Sequence, residues 1–275
     1  MHPVRAVRVV STGRVEIHPE HVDRSRSPLA WWLLTSRRWT APRPINVFVI
    51  EHANGLVLFD TGQDRASVTD PGYFPAGPFR LLYSRLARFT IAEGDTLTAQ
   101  LASIGYTIAD VMTVVVSHLH QDHMGGLGEL KHARIVVGAD EVAAARSRFA
   151  ALDGYLGRHI FLPGLNWAET QGEVDLFGDG SLSVLPTPGH TPGSISLLLR
   201  HAGHAPLLFV GDLTYDVRLL AAGRIPGVGS KTGLHRSTEF VARLTRDNPG
   251  LVVLAAHDPA AADLLAVATS TAVQS

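Results

Sequence analysis

The 275-residue sequence contains no cysteine, which excludes disulfides, thiolate metal ligands and cysteine nucleophiles. It also has no excess of either charge, since 24 Lys and Arg residues are matched by 25 Asp and Glu residues. Such a chain has no overall field that would attract nucleic acid or an anionic membrane. No apolar run is long enough to span a membrane, and residues 1–12 lack the apolar core of a signal peptide. These absences predict a cytoplasmic protein that binds neither nucleic acid nor membrane.

The composition is that of a folded protein with a large core, because 45% of the residues are hydrophobic and 18% are charged. Short apolar runs that alternate with helical patterns predict an α/β fold. A pair of strands is expected around Thr12-Gly13, a hairpin at Asn54-Gly55, and a loop over residues 149–167. The chain shows no repeat and no linker, so we expect a single domain over residues 1–275.

The densest chemical signal is the stretch 117–126, which reads SHLHQDHMGG and follows a valine-rich apolar run. It holds His118, His120, Asp122 and His123 within six residues. A lone histidine at the end of a strand is most often structural, but four such side chains in one turn indicate a metal site. Imidazole and carboxylate are ligands that zinc and its first-row neighbours prefer.

Three later residues follow apolar strands in the same way: His190, Asp212 and His257. Taken singly, each is more often a structural or turn residue. Strand ends on one edge of a sheet converge in space, however, so these residues are candidates for the same site as the 117–126 loop.

The loop resembles that of the metallo-β-lactamase superfamily, which reads His-x-His-x-Asp-His, and the later residues match the remaining ligand positions. The resemblance implies an αβ/βα four-layer sandwich with two mixed β-sheets flanked by helices. It also implies two divalent metal ions, with zinc as the expected metal; the same ligands also accept cobalt, manganese or iron. One ion would be held by His118, His120 and His190, the other by Asp122, His123 and His257, with Asp212 bridging them.

Within the superfamily, Asp212 and the absence of cysteine argue against true β-lactamases, and His120 argues against the di-iron oxygen reductases. The Asp-x-x-Tyr motif ending at Tyr215, together with the terminal His-Asp, resembles N-acyl homoserine lactonases. That resemblance implies quorum quenching, in which a metal-bridging hydroxide opens the lactone ring. Tyr215 would donate a hydrogen bond to the lactone carbonyl and Asp122 would carry a proton to the leaving oxygen. The alternative for Tyr215 is a buried tyrosine bonded to backbone.

Asp60 lies in an Asp-Thr-Gly turn of the kind that superfamily members often carry beside the metal loop. The resemblance implies that Asp60 orients the metal ligands without binding the metal itself; a simple turn cap is the alternative. Segments 20–43 and 71–92 are expected to be insertions over the substrate pocket or at a homodimer interface. Their aromatic residues could equally pack into the core of the domain. Trp31, Trp32, Phe74 and Phe89 are the candidates for the pocket wall.

Two other functions fit the same residues. One is hydrolysis of other carboxylic esters, thioesters or phosphotriesters by the same site. The other is a non-catalytic or redox metal protein, which the complete ligand set argues against.

Overall fold

The computed structural model describes residues 2–201 and 203–270, which form two β-sheets with helices outside both. The larger sheet is mixed and has the strand order β4-β1-β2-β3-β5-β6-β7. Its strands are β1 (Val4–Ile17), β2 (Arg43–His52), β3 (Gly55–Phe59), β4 (Ala87–Thr90), β5 (Val111–Val115), β6 (Arg134–Gly138) and β7 (Asn166–Thr170). The run from β3 to β7 is parallel, whereas β4, β1, β2 and β3 pair antiparallel.

The smaller sheet has the order β12-β11-β10-β9-β8, and only β11 and β12 are parallel. Its strands are β8 (Val174–Asp175), β9 (Leu182–Pro186), β10 (Ile195–Leu199), β11 (Leu207–Phe209) and β12 (Val252–Leu254). The α-helices are α1 (Pro19–Val22), α2 (Leu29–Thr35), α3 (Ala66–Thr69), α4 (Pro78–Leu86), α5 (Leu97–Ser103), α6 (Gln121–Met124), α7 (Ala139–Ala145), α8 (Gly157–Ile160), α9 (Val217–Ala221), α10 (Lys231–Asp247) and α11 (Ala261–Ser270).

Three apolar clusters separate the four layers. Leu101 of α5 and Val142 of α7 pack with the outer face of the larger sheet. A second cluster fills the space between the two sheets, and a third joins α10 to the outer face of the smaller sheet. Because central strands are covered on both faces, β10 is buried along its whole length and reads as a continuous apolar run. The predicted four-layer sandwich of two mixed sheets is confirmed.

Two local predictions differ from the structure. The expected pair of strands around Thr12-Gly13 is one strand, β1, with an irregular register between Ser11 and Arg14. Gly13 has φ +118°, which lets the chain bulge there and continue instead of turning back. The expected loop over 149–167 contains α8 and the first residues of β7. The hairpin at Asn54-Gly55 is confirmed, since β2 and β3 pair antiparallel across it.

Phe209 is the aromatic residue at the centre of the inter-sheet core, and Phe209→Ala should strongly destabilise the fold. Its ring is fully buried, with its centroid 4.8 Å from that of Phe48 and 5.8 Å from that of Phe59. Truncation of a buried Phe leaves a cavity and costs about 3–5 kcal/mol of unfolding free energy. Urea unfolding measures the loss. Val267→Ala, at a 67% exposed position of α11, is the control and should change the free energy by less than about 0.5 kcal/mol.

Candidate metal centre

All seven predicted metal ligands meet at one edge of the two sheets. Four of them follow β5 of the larger sheet, in the loop between β5 and α6 and in α6 itself. The smaller sheet supplies three, each located a few residues beyond β9, β11 or β12. These residues form three overlapping groups, and within each group the ligand atoms lie within 4.8 Å of one another. The groups are His118, His120 and His190; His118, His123 and Asp212; and Asp122, His123 and His257.

The turn at the end of α6 depends on close backbone contact. A Cβ at Gly125 would lie 2.2 Å from the backbone nitrogen of Asp64, so no larger residue fits without movement of the chain. Gly125 also donates its N–H to the carbonyl of Gly62, and Thr61 donates to the carbonyl of His123. The 117–126 loop is therefore fixed against the turn that follows β3.

The first group joins His118 and His120 to His190. Nε2 of His190 lies 3.1 Å from Nδ1 of His120, while Nε2 of His120 lies 2.9 Å from the carbonyl oxygen of Asp153. His118 is buried, and its Nε2 makes no hydrogen bond with any residue the structure describes. Two neighbouring imidazole nitrogens and a third without a partner are the arrangement expected of a site for a cation.

The second group joins His123 and His257 to Asp122. The two Nε2 atoms lie 3.3 Å apart, and Nε2 of His257 is 3.4 Å from Oδ2 of Asp122. Their Nδ1 atoms are bound on the opposite side of each ring, to Oδ2 of Asp60 at 2.8 Å and to the carbonyl of Pro44 at 2.9 Å. These outer bonds fix the orientation of both rings and turn Nε2 toward the centre.

Asp212 lies between the two groups. Its Oδ1 is 3.5 Å from Nε2 of both His123 and His257, and its Oδ2 is 3.6 Å from Nε2 of His190. The Tyr215 hydroxyl donates a 2.6 Å hydrogen bond to Oδ2. Oδ1 is buried and accepts no hydrogen bond from the described residues. A carboxylate so placed can contact ions in both groups.

The electrostatics of the centre favour positive charge. Burial alone would lower the pKa of His123, but the carboxylates of Asp212, Asp60 and Asp122 raise it well above its ordinary value. Burial would raise the pKa of Asp212, yet His257 and His123 hold it well below its usual range. An ionised carboxylate among buried imidazoles fits divalent metal ions, both in charge and in donor type. The charge and the donor atoms of the described residues therefore fit the two divalent metal ions that the sequence predicts.

Asp60 contacts the metal centre only through other residues. Its Oδ1 accepts from the backbone N–H of Ser117 and its Oδ2 from the Ser117 hydroxyl, at 2.7 and 2.9 Å, beside the bond to His123. Asp60 also has φ +63°, a left-handed conformation that Asp and Asn tolerate better than other side chains. The carboxylate thus orients His123 from a turn that suits it.

Asp60→Asn should weaken metal binding while leaving the turn intact, because Asn tolerates the same backbone conformation but removes the negative charge behind His123. Loss of such an outer partner lowers metal affinity by roughly 10- to 100-fold. Competition with a chromophoric chelator measures the affinity. Asp64→Asn, four residues further along the chain, is the control. Equal affinities for the wild type and the Asp60 variant would contradict the orienting role.

A cavity of about 900 Å³ opens onto the metal centre. His120, Asp122, His190, Asp212, Tyr215 and His257 line its polar end. Apolar side chains form much of the remaining wall, including Val15, Ile17, Leu29, Leu33, Leu86 and Phe89. The cavity therefore joins a charged centre to an apolar channel.

The predicted pocket aromatics are placed unequally. Phe89 lines the cavity, whereas Trp31 is 65% exposed and neither Trp32 nor Phe74 is among the lining residues. The 20–43 and 71–92 segments reach the cavity instead through Leu29 and Leu33 of α2 and through residues of α4 and β4. Sequence reasoning missed these leucines and Ile17, as well as His21. An i, i+4 spacing of leucines in α2 was the available signal, and nothing in the sequence marked His21.

In residues 2–201 and 203–270, no helix combines the length and the apolar composition needed to cross a membrane.

The sequence and the fold are both similar to those of known metal-dependent hydrolases. The sequence model of the metallo-β-lactamase superfamily matches residues 40–257. The N-acyl homoserine lactonase AttM of Azorhizobium caulinodans is 31% identical over an alignment 222 residues long, which covers 78% of this chain and 82% of the relative. A solved N-acyl homoserine lactone hydrolase, with N-hexanoyl-L-homoserine bound at its catalytic metal centre, superposes with a TM-score of 0.78 at 23% identity, covering 94% of both chains. The dizinc quorum-quenching lactonase AidC gives a TM-score of 0.63 at 16% identity, covering 94% of this chain and 90% of AidC.

Proposed function

This chain belongs to the metallo-β-lactamase superfamily, and we propose that it hydrolyses the lactone ring of N-acyl homoserine lactones and so quenches bacterial quorum signals. The observation that carries the proposal is the Tyr215 hydroxyl, buried beside Asp212 at the point where the metal-ligand groups meet an apolar channel. The AttM lactonase, with 31% identity over most of both chains, supports the same substrate class.

We propose that one divalent ion is held by His118, His120 and His190. A second would be held by Asp122, His123 and His257, and Asp212 would contact both. Zinc is the proposed metal, because three imidazoles or two imidazoles with a carboxylate are donor sets that zinc prefers, although cobalt, manganese and iron accept them too. When bound, the ions supply Lewis acidity and lower the pKa of water to near 7, so that hydrolysis can proceed at neutral pH.

Tyr215 and Asp122 have separate proposed roles. The Tyr215 hydroxyl can donate to the lactone carbonyl oxygen as that oxygen gains negative charge in the transition state. Burial would raise the pKa of Asp122, but His123 and His257 lower it to about 2, so Asp122 is ionised at neutral pH. It can therefore accept a proton and pass it to the ring oxygen that leaves.

Arg43 fixes the backbone at Tyr215 and at His257. Its guanidinium donates to the carbonyl of Tyr215 at 2.7 Å and to the carbonyl of His257 at 3.2 Å. One side chain thereby fixes two turns. One turn carries Tyr215, the proposed hydrogen-bond donor to the lactone carbonyl, and the other carries His257, the last proposed metal ligand. Such fixed geometry is what transition-state stabilisation requires.

A pH-indicator assay of the metal-loaded protein tests the proposed function. Opening of hexanoyl and decanoyl homoserine lactones produces a carboxylic acid, and its proton changes the indicator colour. The release should disappear after chelation and return with added zinc. Acyl thioesters and a paraoxon-like phosphotriester are assayed in parallel. Turnover of those esters with none of either lactone, by protein that holds two metals, would move the assignment to another ester class.

We also propose that α2 and α4 contribute to a homodimer contact. Their inner residues line the cavity, while Trp31, Leu34 and Leu81 are 64–70% exposed on the outside. Helices α2 and α4 pack against each other, so these exposed side chains lie on neighbouring helices. Large exposed apolar side chains are typical of association surfaces. Light scattering after gel filtration gives the mass in solution, and a monomer at all concentrations would contradict the contact.

A further inference from the structure

His21 is a buried histidine in the wall of the cavity that none of the proposed catalytic steps uses. It belongs to α1, is 5% exposed, and lines the same cavity as Asp122, Asp212 and Tyr215. It belongs to none of the ligand groups of the metal centre. Its Nδ1 is buried and makes no hydrogen bond with any described residue. A buried polar atom without a partner is uncommon and calls for an explanation.

His18, three residues earlier, shows what a purely structural histidine looks like in this region. Its Nδ1 lies 2.7 Å from the carbonyl oxygen of Arg38, and its Nε2 lies 2.9 Å from the carbonyl oxygen of Arg85. It is fully buried and does not line the cavity. Both of its nitrogens serve the fold, whereas His21, a residue of the cavity wall, has an Nδ1 that no described residue bonds.

The ring of His21 is held in place by packing. Trp32 packs against it in a T-shaped arrangement, with ring centroids 4.8 Å apart and an interplanar angle of 71°. The backbone is fixed as well, because the His21 carbonyl accepts from the N–H of Gly227 and its N–H donates to the carbonyl of His18. A rigid polar group at the wall of a largely apolar cavity can select among ligands.

Burial lowers the pKa of His21 to about 3, and the neighbouring His18 acts in the same direction. The ring is therefore neutral at pH 7, with one nitrogen that donates a hydrogen bond and one that accepts. An amide group offers both an N–H and a C=O, so it can pair with either nitrogen. A plain alkyl chain offers neither.

We infer that His21 is a specificity-determining residue that hydrogen-bonds the amide linking the acyl chain to the lactone ring. The inference rests on the proposed lactonase function and deepens it. With the lactone carbonyl at Tyr215 and the tail among Leu29, Leu33 and their neighbours, the amide is the polar part of the substrate that lies between them. His21 shares the cavity with both of these regions. The enzyme should therefore prefer acyl-amido lactones to lactones that carry only an alkyl chain.

The test compares two lactones on the metal-loaded enzyme. N-hexanoyl homoserine lactone has the amide, and α-heptyl-γ-butyrolactone carries a chain of equal length on the same ring carbon without it. His21→Leu should lower the preference for the amide substrate, as the ratio of the two kcat/KM values, by roughly 10-fold or more, because the amide loses its buried partner. Asn places a polar atom near the position of Nδ1, and Gln near that of Nε2. Restoration of the ratio by one of these variants is therefore expected and identifies the nitrogen.

Binding of the opened products gives a readout without turnover. Calorimetry should show that His21→Leu weakens binding of N-hexanoyl-homoserine but leaves binding of the opened alkyl product unchanged. His18→Asn is the matched control, which should lower Tm while leaving the substrate ratio as in the wild type.

Two results would overturn the inference alone. One is hydrolysis of both lactones with the same ratio in the wild type and in His21→Leu. The other is an equal fall of the ratio in the Leu, Asn, Gln and His18 variants, which would indicate disturbed packing. If the wild type hydrolyses neither lactone, the proposed function itself fails and the inference falls with it.

Discussion

Asp212→Asn should remove both metal and activity. The carboxylate lies 3.5–3.6 Å from nitrogens of both proposed ligand sets, and it is the group proposed to be shared by the two ions. Asn keeps the shape but loses the negative charge that would offset the two proposed dications. Loss of a residue that only orients a ligand costs 10- to 100-fold in affinity or activity, so loss of a shared ligand should reduce kcat/KM by about 100-fold or more. Elemental analysis after gel filtration should find fewer than two metal ions per chain.

Asp216→Asn is the control for that experiment. Asp216 lies four residues further along, and its side chain caps α9 by accepting from the N–H of Arg218. Asn caps helices about as well as Asp, so this variant should keep its metal and its activity. Two metal ions retained in Asp212→Asn would show that Asp212 is not shared between the ions.

Tyr215→Phe should separate catalysis from metal binding. The change removes one hydroxyl, buried and 2.6 Å from Asp212, and leaves every proposed metal ligand in place. Loss of one donor to a developing oxyanion lowers kcat by roughly 100-fold or more. We therefore expect two metals per chain, a KM close to that of the wild type, and a much lower kcat on hexanoyl homoserine lactone.

The competing role for Tyr215 is to orient Asp212 through that same hydrogen bond. A purely orienting tyrosine would make Tyr215→Phe lose metal affinity in parallel with activity. Chelator competition distinguishes the two roles. Tyr106→Phe is the control, because the Tyr106 hydroxyl donates to Glu51 outside the cavity wall and its loss should leave kcat unchanged.

The convergence of the ligands was predictable from sequence for a physical reason. His118, His190, Asp212 and His257 each follow a short apolar strand, and such positions meet wherever strands end at one edge. The dense 117–126 loop marked that edge. The hydrogen bonds that orient the histidine rings were harder to predict. Asp60 was recognisable from its Asp-Thr-Gly turn. The bond from His257 to Pro44, however, uses a backbone carbonyl, which has no sequence signature.

The cavity wall was hard to predict for a different reason. Aromatic residues drew the prediction to Trp31, Trp32, Phe74 and Phe89, yet three of these do not line the cavity. Which face of a short helix such as α2 turns inward depends on its packing against the rest of the fold. The same holds for β1, which is one strand where two were expected. Its parts on either side of Gly13 pair with β2 and β4, and the sequence does not show these long-range pairings.

The division of the ligands between the two sheets links metal supply to the survival of the folded protein. Since the larger sheet carries four of the proposed ligands and the smaller sheet three, neither sheet can form the whole proposed centre alone. Each ion should therefore act as a clamp between them. Binding at a free concentration about 100 times Kd adds about 2.7 kcal/mol to the free energy of unfolding. Under metal starvation the two halves should separate more often, and proteases would then degrade the chain faster than in metal-replete cells.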